Sequence, residues 1–239
     1  MGNKRDEHLR KIQQTHREID LEHIFILPEG DGPFPAVLLV HEYTGLNQII
    51  IDHAKRLTDY GYAVLAVDFY GLNNRPCNIE EARTIHRIYR NNRLLMRERS
   101  KVCFDIIIKQ PEIIPSMIFA FGLSFGGGAV LELARSGVDL KGAISVYGYL
   151  DTSHPVGVGD IKCPLLAFHV EDDPVVPSEH ATAFEVEMDS AGVEWEMVKI
   201  KNSCHGFANP QDGSYDQLQA EKMWDMVQRK LISWSINKK

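Results

Sequence analysis

Short apolar runs recur along this chain, each separated from the next by a stretch long enough for a helix. That alternation restricts the fold more than any other feature. Ala36-Val37-Leu38-Leu39-Val40 follows Pro33 and Pro35, and Tyr62–Val67, Met117–Phe121, Gly142–Val146 and Leu165–Val170 are further runs of the same kind. Each suits a central strand buried on both faces. Helical stretches are expected at about 48–60, 79–110 with one break near Arg90-Asn91-Asn92, 125–135 and 178–191. A last strand at 194–200 precedes a helix at about 215–234, and residues 17–27 alternate charged and apolar positions like a half-exposed antiparallel strand. Strands alternating with such helices make right-handed crossover units, hence an α/β fold with a mostly parallel central sheet and helices on both faces. With 239 residues, 44% of them hydrophobic, the chain can bury such a sheet as one domain spanning 1–239, and no repeat or linker-like boundary divides it.

Charge and cysteine usage narrow the function. A net charge of −7 with no basic stripe argues against a nucleic-acid partner. The basic clusters Lys4 to Lys11 and Arg87 to Lys101 are interspersed with acids and apolar residues, so solvated helix faces account for them. No apolar run reaches membrane-span length, and the N-terminus lacks the apolar region of a signal peptide. Cys77, Cys103, Cys163 and Cys204 are scattered, which points to reduced thiols and a cytoplasmic setting. No metal and no cofactor is expected. Metal-ligand spacing is missing, and Gly126-Gly127-Gly128 is not a dinucleotide fingerprint.

In open α/β sheets reactive groups gather outside the C-terminal ends of the strands. Gly122-Leu123-Ser124-Phe125-Gly126 lies there, between an apolar strand and a helix containing Ala and Leu. This is the strand–turn–helix context that a G-x-S-x-G nucleophile needs. Glycines on both sides of a sharp turn let strand and helix approach closely, and the helix N-terminus favours a developing oxyanion. The competing reading is a glycine-rich turn with Ser124 as an ordinary helix N-cap.

A serine hydroxyl needs a general base within hydrogen-bond reach. In α/β-hydrolases the chain order is Ser, acid, His. Of the histidines after Ser124, His154 follows no strand, His169 falls inside one as a packed core residue, and His180 falls in a helix. His205, just past the last strand and before the last helix, occupies the place of the base. For the acid, Glu171, Asp172 and Asp173 crowd one strand end, and spacing alone leaves Asp172 and Asp173 open.

Taken together and in order, five stretches resemble the dienelactone hydrolase family of α/β-hydrolases over nearly the whole chain. They are His41 through Asn47, Gly61 through Asp68, Phe121 through Gly128, Asp173 through Pro177, and His205-Gly206-Phe207. The resemblance implies that Asp173, which opens the family's D-x-x-V-P pattern, is the acid. It implies that Glu42 sits where the family keeps a glutamate touching the resting nucleophile. It also implies that the backbone N–H groups of Tyr43 and Phe125 form the oxyanion hole. Two departures stand out. The better-known members carry cysteine where this chain has Ser124, and a serine depends more on His205 as base. Dienelactone-cleaving members clamp the substrate carboxylate with an arginine four residues past the histidine, where this chain has Asn209.

The expected activity is therefore a carboxylic-ester hydrolase of this family, acting on a small-molecule ester or lactone other than dienelactone through Ser124, His205 and Asp173. The chain is expected to be a monomer or homodimer without nucleic-acid or membrane partners. The rival readings are a thioesterase or carboxylesterase acting on acyl chains, and a catalytically silent hydrolase scaffold that binds a partner.

Overall fold

A computed structural model describes residues 8–236. One eight-stranded sheet runs through them in the order β1-β2-β4-β3-β5-β6-β7-β8. The strands are β1 Leu9–His16, β2 Ile19–Ile26, β3 Phe34–Val40, β4 Ala63–Ala66, β5 Ile113–Leu123, β6 Gly142–Val146, β7 Leu165–Val170 and β8 Trp195–Ile200. The helices are α1 Gln48–Asp59, α2 Ile79–Arg90, α3 Arg93–Ile107, α4 Phe125–Arg135, α5 Ser178–Ala191 and α6 Gln217–Ile236. Strands β3 to β8 are mutually parallel, and the β1–β2 hairpin adds an antiparallel edge through the β2–β4 pairing.

Period-two alternation divides the core between the two faces. On β5, Ile118 and Ala120 face the cluster formed with α3, α4 and α5, including Met96, Phe104, Val130 and Phe184. Phe119, Phe121 and Leu123 face the other cluster, with Ile50 and Leu57 of α1 and Trp224 and Leu231 of α6. Strand order reverses at β3, which has β4 on one side and β5 on the other. Ligands in open α/β sheets bind at such a reversal, because the crossovers diverge and leave a crevice at the strand ends.

Two expectations from the sequence are corrected. Leu9–His16 forms a strand, not a helix face, and pairs with β2 from Leu9↔Ile26 to His16↔Ile19. Its two-residue turn uses Arg17 and Glu18 at φ of 50° and 63°, which a primed hairpin turn demands but these residue types do not advertise. Lys4 through Glu7 lie outside the described residues. In the second basic cluster, Arg93 and Arg99 are buried rather than solvated. Arg99 donates to the Phe69 carbonyl at 2.7 Å and to His16 Nδ1 at 2.9 Å, and Arg93 pairs with Asp151 at 3.0 Å. A long arginine stem is apolar enough to pack inside when partners meet its head, and periodicity does not reveal those partners.

Candidate active site

The end of β5 carries a forced turn. Ser124 has φ 51° and ψ −115°, a conformation that costs an L-residue roughly 1–3 kcal/mol and persists only when its surroundings compel it. They do so sterically. A Cβ on Gly122 would meet the Gly126 carbonyl oxygen at 2.2 Å, and one on Gly126 would meet the Val40 carbonyl oxygen at 2.2 Å. Glycine at both positions lets α4 start directly against β3 and β5, and the Ser124 N–H donates to Val146 O at 2.9 Å. Ser124 makes no side-chain cap hydrogen bond to α4, so the N-cap reading does not account for its hydroxyl.

The hydroxyl lies instead 2.8 Å from His205 Nε2. His205 Nδ1 donates to Asp173 Oδ2 at 2.7 Å, which leaves Nε2 as the acceptor for the Ser124 O–H. Asp173 is buried, whereas Asp172 is exposed. The other oxygen of Asp173 accepts the N–H groups of Val175 at 2.7 Å and Val176 at 3.2 Å. Two backbone N–H groups thus hold one carboxylate against the imidazole, and three separate strand ends supply the three side chains. Such a relay can draw the proton from a serine hydroxyl and return it to a departing group.

Glu42 follows β3 and is buried. Its Oε1 accepts from the Tyr147 hydroxyl at 2.8 Å and its Oε2 accepts from Asn209 Nδ2. Burial pushes the Glu42 carboxyl above the usual carboxylate range, while the donors Tyr147 and Asn209 pull it back. The preceding His41 is also buried, and desolvation lowers its pKa to about 4. Its Nδ1 donates to the Glu42 carbonyl at 2.6 Å and its Nε2 accepts from the Phe69 N–H at 3.3 Å, an assignment that only the neutral ring allows. His41 also stacks on Phe125 with ring centroids 5.8 Å apart. The residue before Tyr43 is therefore fixed at both its backbone and its side chain, and the Tyr43 carbonyl accepts from the Tyr70 hydroxyl at 3.0 Å.

Helix α2 lies over this floor. Tyr89 turns inward onto Phe69, Tyr70 and Phe125, and His86 one turn away meets the Tyr43 ring at 5.8 Å. Arg90 sits over Tyr149 at 4.3 Å and shares Asp151 with Arg93. Arg97 pairs with Glu132 at 2.9 Å and donates to the His154 carbonyl. Of the other histidines weighed, His169 is buried in β7 and His180 lies in α5.

Sequence reasoning missed Tyr147. It closes the end of β6 at φ 37°, with its ring 4.9 Å from that of His205. The available signal was its position: the first residue past a buried strand, next to Gly148. It treated Asn209 only as the place of a lost arginine, and the contact with Glu42 joins residues 167 positions apart.

Strand reversal, forced serine turn and loop order together define an α/β-hydrolase. The chain belongs to the dienelactone hydrolase family, whose match spans residues 21–232. It is similar to a dienelactone hydrolase-like promiscuous phosphotriesterase from metagenomic libraries. That crystal structure superposes with a TM-score of 0.87 at 30% identity, over 95% of this chain and 98% of the other. A provisionally named carboxymethylenebutenolidase of Saccharolobus solfataricus is 26% identical over 84% of this chain and 90% of its own length. Another from Escherichia coli K12 is 23% identical over 86% of this chain and 78% of its own.

Proposed function

We propose that this family hydrolase cleaves a small-molecule ester or lactone through an acyl-enzyme formed on Ser124. The observation that carries this reading is the Ser124–His205–Asp173 relay, with contacts of 2.8 and 2.7 Å. His205 Nε2 takes the hydroxyl proton as Oγ bonds to the ester carbonyl carbon. The resulting imidazolium stays paired with Asp173. The tetrahedral oxyanion is received by the N–H groups of Tyr43 and Phe125, each such donor being worth about 3 kcal/mol in comparable sites. Collapse expels the alkoxide, which takes the proton from His205. A water then repeats the sequence with His205 as base, freeing the carboxylic acid and restoring Ser124.

The substrate proposed is not dienelactone. The side chain that would stand in the clamp arginine's place belongs to Asn209, and it is spent on Glu42. A neutral ester needs no such cation. The likeness to a promiscuous phosphotriesterase makes phosphotriesters the second substrate class to assay.

Ser124→Ala is the decisive variant, assayed with p-nitrophenyl acetate and butyrate beside fluorophosphonate labelling of the parent protein. The expected result is labelling at Ser124 and a fall in turnover of about 10⁴-fold or more in the variant. Undiminished turnover would overturn the assignment, and a folded parent that takes no label would favour the silent scaffold.

A further inference from the structure

Three of the loops at the strand ends meet at one buried carboxylate. Glu42 leaves β3 directly before Tyr43, Tyr147 leaves β6, and Asn209 belongs to the turn that follows His205 after β8. That turn is closed locally, with Phe207 N–H donating to Cys204 O at 3.2 Å and Asn209 N–H to Gly206 O at 2.8 Å. Asn209 Oδ1 in turn accepts the Gln211 N–H at 2.9 Å, which orients the amide so that its Nδ2 faces Glu42. Tyr147 connects the other oxygen of Glu42 to the base itself, since its ring lies against the imidazole of His205.

Around Glu42, Tyr147 and Asn209 are neutral donors, His205 supplies attraction, and Asp212 on the same loop repels. His41 beneath it is neutral. Burying a carboxylate among neutral donors is costly unless its charge is used or it becomes protonated. The geometry suits use. Two directed hydrogen bonds hold the carboxylate, and His205, the histidine that cycles through imidazolium in the proposed reaction, lies against the ring of Tyr147, one of the two donors.

Resting on the hydrolase reading above, we propose that Tyr147 and Asn209 are positioning residues: by donating to both oxygens of Glu42 they hold an anion near His205, and that anion, acting with Asp173, supports the imidazolium formed in each acyl-transfer step. Glu42 itself touches neither Ser124 nor His205 by a hydrogen bond and acts through its charge and through the loop it ties down. Asn209 has the right chemistry for this. An arginine there would pair with the carboxylate and cancel its field at His205, whereas asparagine donates a hydrogen bond without adding a charge.

The test is the pH dependence of kcat/KM for p-nitrophenyl butyrate, measured on the full chain and on Glu42→Gln, Tyr147→Phe and Asn209→Ala. The parent's acid limb should be steeper than one proton, because His205 and Glu42 must both be ionised correctly. Glu42→Gln keeps the side-chain shape and should give a one-proton limb displaced to lower pH, with about a tenfold loss at the optimum. Tyr147→Phe and Asn209→Ala each remove a donor that favours the charged carboxylate, so their limbs should move to higher pH. Opposite displacements are the signature, since a merely structural role lowers the whole profile without moving it. If all three variants keep the parent's limb and lose only amplitude, the proposal is wrong, while Ser124 labelling by a fluorophosphonate would leave the hydrolase reading standing. A parent protein that takes no label overturns both.

Discussion

The turn from Gly122 to Gly128 and the helical cover formed by α2 face the same reactive centre but are held in opposite ways. Every residue of the turn is buried, and two of its glycines have a carbonyl oxygen where a Cβ would stand. Its conformation is dictated by backbone and volume. In α2 only Ala82 and Tyr89 are buried, and Ile79, Ile88 and neighbouring Leu94 are each half exposed. Beside the Tyr89 anchor, α2 makes half-buried contacts through His86 on Tyr43 and through Arg90 on Tyr149 and Asp151. Close packing transmits any change in volume, whereas partly exposed ion pairs are worth little each and can be exchanged. On the proposed function, reaction type rests with the turn and its loops, and selectivity with the cover.

The rigid side of this contrast should break first and most severely. In Asp173→Asn, Oδ1 can still accept the Val175 and Val176 N–H groups, so the loop is expected to keep its shape. The amide nitrogen then faces His205 Nδ1, and two donors cannot meet. The ring must carry its proton on Nε2, where it no longer accepts from Ser124. Turnover of p-nitrophenyl butyrate should fall about 10⁴-fold with the melting temperature little changed. A fall of tenfold or less would show that the carboxylate does not set the tautomer.

Gly126→Ala tests the same rigidity through stability. Its Cβ would lie 2.2 Å from Val40 O and 2.7 Å from His41 O, both backbone atoms of the strand that leads to Glu42. Relief requires parting β3 from α4, at a cost of about 3 kcal/mol for overpacking of this kind. At this chain length that lowers the melting temperature by roughly 6–12 °C. Thermal unfolding followed by circular dichroism measures it, and an unchanged midpoint would mean that the turn is more compliant than its contacts imply.

The same contrast explains what could be read from the sequence. The central strands were legible because burial on both faces writes an unbroken apolar run, and α4 was legible because Gly122, Ser124 and Gly126 mark its start. The hairpin strand β1 was not. It is an edge with one face wet, and Arg10, Lys11, Gln13 and Gln14 mask its alternation. At the site, Ser124 and His205 were expected from loop order, spacing left Asp172 beside Asp173, and the family resemblance pointed to Asp173, which is the buried one of the two. Tyr147 and the partner of Asn209 were hidden for a different reason. Their role depends on meeting Glu42 across the sheet, and no local pattern records a contact of that range.

The soft side should yield the smallest effect and the most selective one. Arg90 lies one turn from His86 on the helix over the Glu42–Gly45 turn, and its partner Asp151 keeps Arg93 when Arg90 is removed. Arg90→Met retains the long stem over Tyr149 while deleting the charge. Because Arg90 and Asp151 are both partly exposed, solvent already weakens their attraction, and stability should change by about 1 kcal/mol or less. Turnover of p-nitrophenyl acetate, the smallest ester of the series, should stay within about threefold of the parent. Esters with a bulky or anionic acyl group should respond through KM, the anionic ones losing and the bulky apolar ones gaining, since a cation is replaced by a thioether at the rim. Comparing kcat/KM across such a series in both proteins measures it. Equal losses on every ester would mean that the cover shapes the reactive centre itself, and the division between the two regions would fail.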